Sequence, residues 1–226
     1  SITLEVMKDL HLLKETDVFL NYPDEKSLDN ILNVVFDNYY KDWNYKYIID
    51  RGPVSTPGNM MLMQRHFKQP IKCVVLLRDL LDVLASYMKW YKNNPDAFVN
   101  RFDLKSDEEK LSMLMNKDGA IAKDLEAIKT LLKPENNHMA CFVKYDDLIA
   151  DPESQLNRIY KFLEIPYFKH NFNNLSQLQV NNRSYDDRIV GNNMHRLRTD
   201  GIYKEDNHYR SMIPQRIVDK YGHIRF

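Results

Sequence analysis

The chain has 226 residues, 43% of them hydrophobic, enough for one domain with a buried core and short of what two would normally need. Its 32 Lys and Arg balance 32 Asp and Glu, so no global positive field points to nucleic acid or an anionic membrane as partner, and any anion site must be built locally. No apolar run approaches the roughly eighteen residues of a membrane span, and the first residues lack the basic-then-apolar layout of a secretory signal, so the chain reads as soluble.

Leu4, Met7, Leu10 and Leu13 recur at helical spacing and predict a helix over 4–14. A second helix is predicted over 27–40, with Leu28, Ile31, Leu32, Val35 and Phe36 on one side. Residues 45–50 read as a strand, and Arg51-Gly52-Pro53 with Thr56-Pro57-Gly58 as an active loop or a plain turn. A short helix over 59–67 precedes an apolar strand at 72–77 and a helix over 80–92. A polar region then runs to Asp107, which reads as the cap of the next helix; helical stretches near 107–116 and 118–132 lead to a strand at 139–144. Asp151 suits an N-cap and Pro152 the first helical position, and Leu156, Ile159, Tyr160 and Leu163 follow at helical spacing.

From Phe168 onward the pattern weakens: 171–193 is rich in Asn, Ser, Asp and Arg and reads as a long irregular loop, and 213–221 as a closing helix. Strands alternating with helices predict an α/β fold with a mostly parallel sheet covered on both faces. Cys73 and Cys141 fall inside the strands with no Cys or His at metal spacing, so both read as small apolar residues. They give no sign of a disulfide-stapled secreted domain, and a cytoplasmic setting is preferred. His66, His170, His208 and His223 read as surface or packing residues with no visible partner.

The strand at 72–77 ends in Arg78 and runs directly into a helix, and in open α/β sheets ligands sit beyond the carboxyl ends of the strands, where helix N-termini offer unpaired N–H groups. Ser86 follows eight residues later. At about 1.5 Å rise per residue the two Cα atoms stand roughly 12 Å apart, a gap the long arginine side chain can partly close around one phosphate. Taken alone, the pair reads as a surface arginine and a helix-packing serine. The spacing resembles the 3′-phosphate-binding motif of sulfotransferases. A second stretch, Phe142-Val143-Lys144-Tyr145-Asp146-Asp147-Leu148-Ile149-Ala150-Asp151-Pro152-Glu153 followed by Leu156, Ile159, Tyr160, Phe162, Leu163 and Ile165-Pro166, is similar to the Y-E-D-L…D-P…I-x-x-F-L-x-I-P stretch of the same family. The chain is identified on these two segments as resembling the sulfotransferases that use 3′-phosphoadenosine 5′-phosphosulfate (PAPS).

The resemblance implies a P-loop NTPase-like three-layer α/β fold, a mostly parallel central sheet flanked by helices, in a single domain over 1–226. It implies PAPS as donor and PAP as product, no metal, and a hydroxyl acceptor on a carbohydrate, a tyrosyl peptide or a small metabolite, with neither nucleic acid nor a membrane span involved. Relatives open with a strand, a glycine-rich phosphate loop and a helix; this chain has six glycines, none so arranged, and starts at Ser1, so it reads as N-terminally incomplete, a loop-less inactive relative being the alternative.

By family correspondence Arg78 and Ser86 clamp the nucleotide and Tyr145 contacts it, a core tyrosine being the alternative reading of the last. Arg51 takes the place of the lysine that relatives carry near the transferring group, with a planar guanidinium instead of an ammonium. Pro53 stands where cytosolic relatives place a histidine base; protein-tyrosine and heparan sulfotransferases instead use a glutamate about one helix downstream of the phosphate loop, and that resemblance makes Glu5 the candidate base, against a reading as a solvated helix residue. Arg196, Arg198 and Lys204 are the counterpart of the basic C-terminal loop that closes over the nucleotide, or a solvated basic loop. Asp146 and Asp147 look like metal ligands, but capping or turn bonding suits them better. Two other classes remain open: a nucleotide kinase using ATP and magnesium, and a nucleotide- or glycan-binding module without catalysis.

Overall fold

The structure, a computed structural model, describes residues 25–42, 46, 47, 49, 59, 71–95, 106–175, 179–180, 183–184, 199, 201–204 and 208–226. In chain order the elements are α1 (Glu25–Tyr39), β1 (Cys73–Leu77), α2 (Leu80–Asn93), α3 (Asp107–Met115), α4 (Ala120–Leu131), β2 (Ala140–Lys144), α5 (Tyr145–Ala150), α6 (Pro152–Leu163), β3 (Gln179–Val180), β4 (Arg183–Ser184) and α7 (Gln215–Tyr221), with 3-10 turns at Asn137–Met139 and His208–Met212. The chain groups into two compact units, 1–71 with 126–139 and 72–125 with 140–226.

In the first unit, α1 holds the helix that the apolar spacing predicts, but only part of its apolar side is covered. Leu32 is buried, whereas Ile31 and Val35 are exposed. Asn38 Nδ2 donates to the Val34 carbonyl at 2.8 Å and closes the last turn. Ala127, Leu131 and Met139 are buried in the remainder of this unit. The helices predicted over 4–14 and 59–67 and the loop at 51–58 lie outside the described residues, apart from helical Asn59. Of the strand predicted over 45–50, the described Lys46, Tyr47 and Ile49 are not in strand conformation.

In the second unit, β1 and β2 pair in parallel, with Cys73 opposite Ala140 and Leu77 opposite Lys144. The strands therefore end side by side, and the next residue of each, Arg78 and Tyr145, leaves the sheet at the same edge. Two hydrogen-bonded caps fix where the flanking helices start. The Asp79 side chain accepts from the Leu81 and Asp82 backbone N–H groups at the head of α2, and Asp151 accepts from Ser154 N–H with Pro152 at the first position of α6, each satisfying donors that a helix start leaves open. Helix α3 is capped by Ser106, reciprocally with Glu109; Asp107, the cap expected from the sequence, is instead its first helical residue.

Leu80, Leu84 and Met88 repeat every four residues along α2 and pack with Leu81, Ala85, Leu111, Leu114, Ile121, Ile213 and Ile217 into one core cluster. This cluster fixes the axis of the helix that begins just after Arg78. Helix α6 is tied down by polar contacts: Arg158 Nη2 donates to the Phe142 carbonyl at 2.7 Å, and Lys72 reaches the Phe162 carbonyl and the Glu164 carboxylate, both at 2.9 Å. Glu164 ends α6 in the left-handed region at φ 58°, a conformation that costs a non-glycine residue about 1–2 kcal/mol. The segment 171–193, expected to be irregular, contains a short antiparallel pair, Gln179 opposite Ser184 and Val180 opposite Arg183. The closing helix starts at Gln215, after Pro214.

Candidate functional site

The common edge of β1 and β2 brings Arg78 over Tyr145, with the guanidinium carbon 4.6 Å from the ring centroid. A cation over an aromatic face is attracted by the ring quadrupole, so the ring fixes the plane of the guanidinium fork. Along α2, Arg78 Nη1 donates to Ser86 Oγ at 3.3 Å, and Ser86 Oγ donates in turn to the Asp82 carbonyl at 3.0 Å, one helical turn back. The hydroxyl is thus used as acceptor and donor at once. Arg78 Nε is buried and has no hydrogen-bond partner among the described residues. An unmet buried donor costs about 1–3 kcal/mol. Here it sits on a cationic fork at the start of a helix, where an oxyanion would satisfy it.

Around this fork the charges are tightly arranged. Lys204 Nζ lies 2.7 Å from Asp146 Oδ1 and 3.8 Å from Asp82 Oδ2. Arg210 bridges Asp79, at 2.7 Å, and Asp82, while Arg225 stands 3.5 Å from Asp79. Asp82 is buried, at 8% exposure, which a carboxylate tolerates only when paired. Among the described residues Lys204, Arg210 and Arg225 pair with Asp79, Asp82 and Asp146, whereas the contacts of Arg78 are a ring and a hydroxyl.

Burial pushes the Asp79 carboxyl up, but the Arg210 hydrogen bond and charge, the Asp82 N–H and the Arg225 charge outweigh it and leave it below its ordinary 3.8. The hydrogen bond from Lys204 to Asp146 raises the lysine above 10.5 against desolvation, and the nearby Arg78 charge opposes the rise. Arg210 is lowered by burial but raised more by its two carboxylates, ending above its ordinary value.

Of the residues singled out in the sequence, Arg78, Ser86 and Tyr145 come together, and Lys204 joins their surroundings through Asp146 and Asp82. Glu5, Arg51, Arg196 and Arg198 lie outside the described residues. Asp146 and Asp147 sit in the first turn of α5, Asp146 as the partner of Lys204, and among the described residues no group of three or more His, Cys, Asp or Glu is placed to hold a metal. Arg210 was not legible in advance, because nothing near it marks a contact with α2 at 128 residues' separation. Asp79 and Asp82 were legible at least as residues of a helix start next to Arg78.

His170 does have a partner, contrary to the sequence reading: Tyr160 Oη lies 2.9 Å from its Nε2, and its ring stacks on Phe172. A shallow depression of about 630 Å3 on the first turns of α6, lined by Asp151, Glu153, Ser154, Asn157, Arg158 and Lys161, shares no lining residue with the Arg78 site.

A guanidinium at the end of a parallel strand, beside a helix start and over an aromatic ring, is an arrangement able to receive a phosphate or sulfate ester in an α/β protein. The chain matches the sulfotransferase domain family over residues 52–216, a stretch that includes Arg78, Ser86, Tyr145 and Lys204. It belongs to that family, and is thereby an enzyme of the PAPS-dependent sulfotransferase class. No curated protein and no solved structure matches it. Among the described residues no helix is long and apolar enough to cross a membrane.

Proposed function

We propose that the chain transfers the sulfuryl group of PAPS to a hydroxyl of a carbohydrate, a tyrosyl peptide or a small metabolite, with Arg78 and Ser86 holding the donor's 3′-phosphate. The observation that carries the reading is the buried Nε of Arg78, without a hydrogen-bond partner among the described residues, on a guanidinium already oriented by Ser86 and Tyr145. A guanidinium presents parallel N–H donors that match two oxygens of a phosphate, and the ring beneath keeps the fork from turning away. The Ser86 hydroxyl, anchored on the Asp82 carbonyl, fixes one arm of that fork while Nε points its proton elsewhere. Tyr145 adds a hydroxyl at the same strand end, and Lys204, held by Asp146 next to Tyr145 in the chain, adds a second cation.

Sulfuryl transfer breaks the bond from sulfur to the bridging oxygen of the donor and forms one from sulfur to the acceptor oxygen, while the acceptor's proton passes to a base. Within this reading Arg51 stabilises charge near the sulfuryl group and Glu5 takes the proton, assignments that rest on the family resemblance. Arg196 and Arg198 complete the basic loop over the nucleotide on the same ground. The fold is then the three-layer P-loop-like arrangement in one domain, of which the parallel β1–β2 pair is a part. A cytoplasmic setting accords with Cys73 and Cys141 as free thiols.

Calorimetric titration of PAP and of ADP, each with and without magnesium, tests the reading. Magnesium-independent binding of PAP in preference to ADP is the expected result. Binding of ADP only with magnesium would move the protein to the kinases, and binding of neither would leave a non-catalytic module.

A further inference from the structure

Lys204 has two carboxylate neighbours of different character. Asp82 is buried and shared with Arg210, so it is a fixed part of the frame; its oxygen stands 3.8 Å from Nζ. Asp146 is 63% exposed, lies at the start of the short helix α5, and makes the shorter contact, 2.7 Å. Asp146 also follows Tyr145, whose ring carries the Arg78 guanidinium. The exposed carboxylate therefore stands at the rim of the same cation site that the proposed phosphate would enter. An exposed lysine–carboxylate pair contributes little and exchanges partners readily. A phosphate with its larger charge is the stronger partner for an ammonium group, whose three donors sit on a flexible four-carbon stem.

We propose that Asp146 is a positioning residue that competes with the donor's phosphate for Lys204: its carboxylate holds the lysine beside Arg78 and yields it when the phosphate binds. The proposal rests on the reading that Arg78 and Ser86 hold that phosphate. Asp146 keeps Lys204 close to the site, yet it lowers the affinity for the nucleotide, because its contact with the lysine must be given up. Removing the carboxylate therefore tightens binding, the opposite of what loss of an ordinary binding or structural residue does. The gain requires Lys204.

The test is a double-mutant cycle read by PAP titration at low ionic strength on the wild type, Asp146→Asn, Lys204→Met and the double variant. Asp146→Asn is expected to tighten PAP binding about two- to fivefold, the range set by an exposed ion pair. Lys204→Met is expected to weaken it, and Asp146→Asn to change nothing further once Lys204 is gone. A gain of the same size with and without Lys204 would reduce Asp146 to a repelling charge and overturn the proposal, as would an unchanged or weakened affinity in Asp146→Asn. Asp146 is exposed, Lys204 half-exposed, and Asp82 keeps Arg210 as its partner, so closely similar melting temperatures are expected across the set. Arg78→Met, titrated alongside, separates the two failures: PAP binding unaffected by that variant sinks the phosphate-site reading itself, whereas its loss together with a flat Asp146→Asn result sinks the competition alone.

Discussion

Replacing Arg78 by Met keeps the aliphatic stem and removes the fork, so affinity and stability can be predicted separately. Two charge-assisted hydrogen bonds to a phosphate, at about 1.5–3 kcal/mol each, amount to about 3–6 kcal/mol. The dissociation constant for PAP should therefore rise about 10²- to 10⁴-fold. For stability the structure gives two losses and one relief. The guanidinium's contact with the Tyr145 ring at 4.6 Å is worth about 0.5–2 kcal/mol. The bond to Ser86 Oγ, long at 3.3 Å, is worth about 0.5–1.5 kcal/mol. Against these stands the burial of Nε without a partner among the described residues, which costs about 1–3 kcal/mol and disappears in the variant. At the middle of these ranges the losses and the relief are each about 2 kcal/mol and nearly cancel, so a Tm shift of about 4 °C or less is expected for a domain of this size. Calorimetric titration of PAP and thermal melting of the same preparations provide both numbers. PAP binding within about twofold of wild type, with melting unchanged, would refute the assignment of Arg78 as the phosphate fork.

Three further outcomes follow from individual groups. Asp79 lies below its ordinary 3.8 when folded, so its contribution is present above that value and is lost as pH falls through the lower folded value; urea unfolding against pH should show a shallower acid limb in Asp79→Asn, and superimposable limbs would contradict the Arg210–Asp79 pairing. Burial and the neighbouring Tyr87 push the Tyr91 phenol up to about 12. Its contribution is complete below the ordinary 10.0 and lost as pH rises through the folded value; ultraviolet titration should find a tyrosine missing from the normal ionisation step in wild type and absent in Tyr91→Phe. Ser106→Ala breaks the reciprocal cap with Glu109 and should lower stability by about 1 kcal/mol while PAP titration is unchanged; a change in affinity would mean that α3 bears on the site.

What the sequence determined by itself was local. Alternating apolar and helical spacings placed β1, α2, β2 and α6 within a residue or two, because periodic burial and hydrogen-bonded caps are encoded within a few positions of where they act. Arg78, Ser86 and Tyr145 were legible for the same reason, each standing in a short motif, and the family match over 52–216 agrees with the resemblance those motifs carried. The tertiary structure decided how the motifs meet. Only the parallel register of β1 on β2 puts Arg78 against Tyr145. Only chain reversals of 58 and 128 residues bring Lys204 to Asp146 and Arg210 to Asp82. Charge pairing at such separations has no periodicity to betray it: a carboxylate at a helix start looks the same whether it faces water, a capping N–H or an arginine from the far end of the chain.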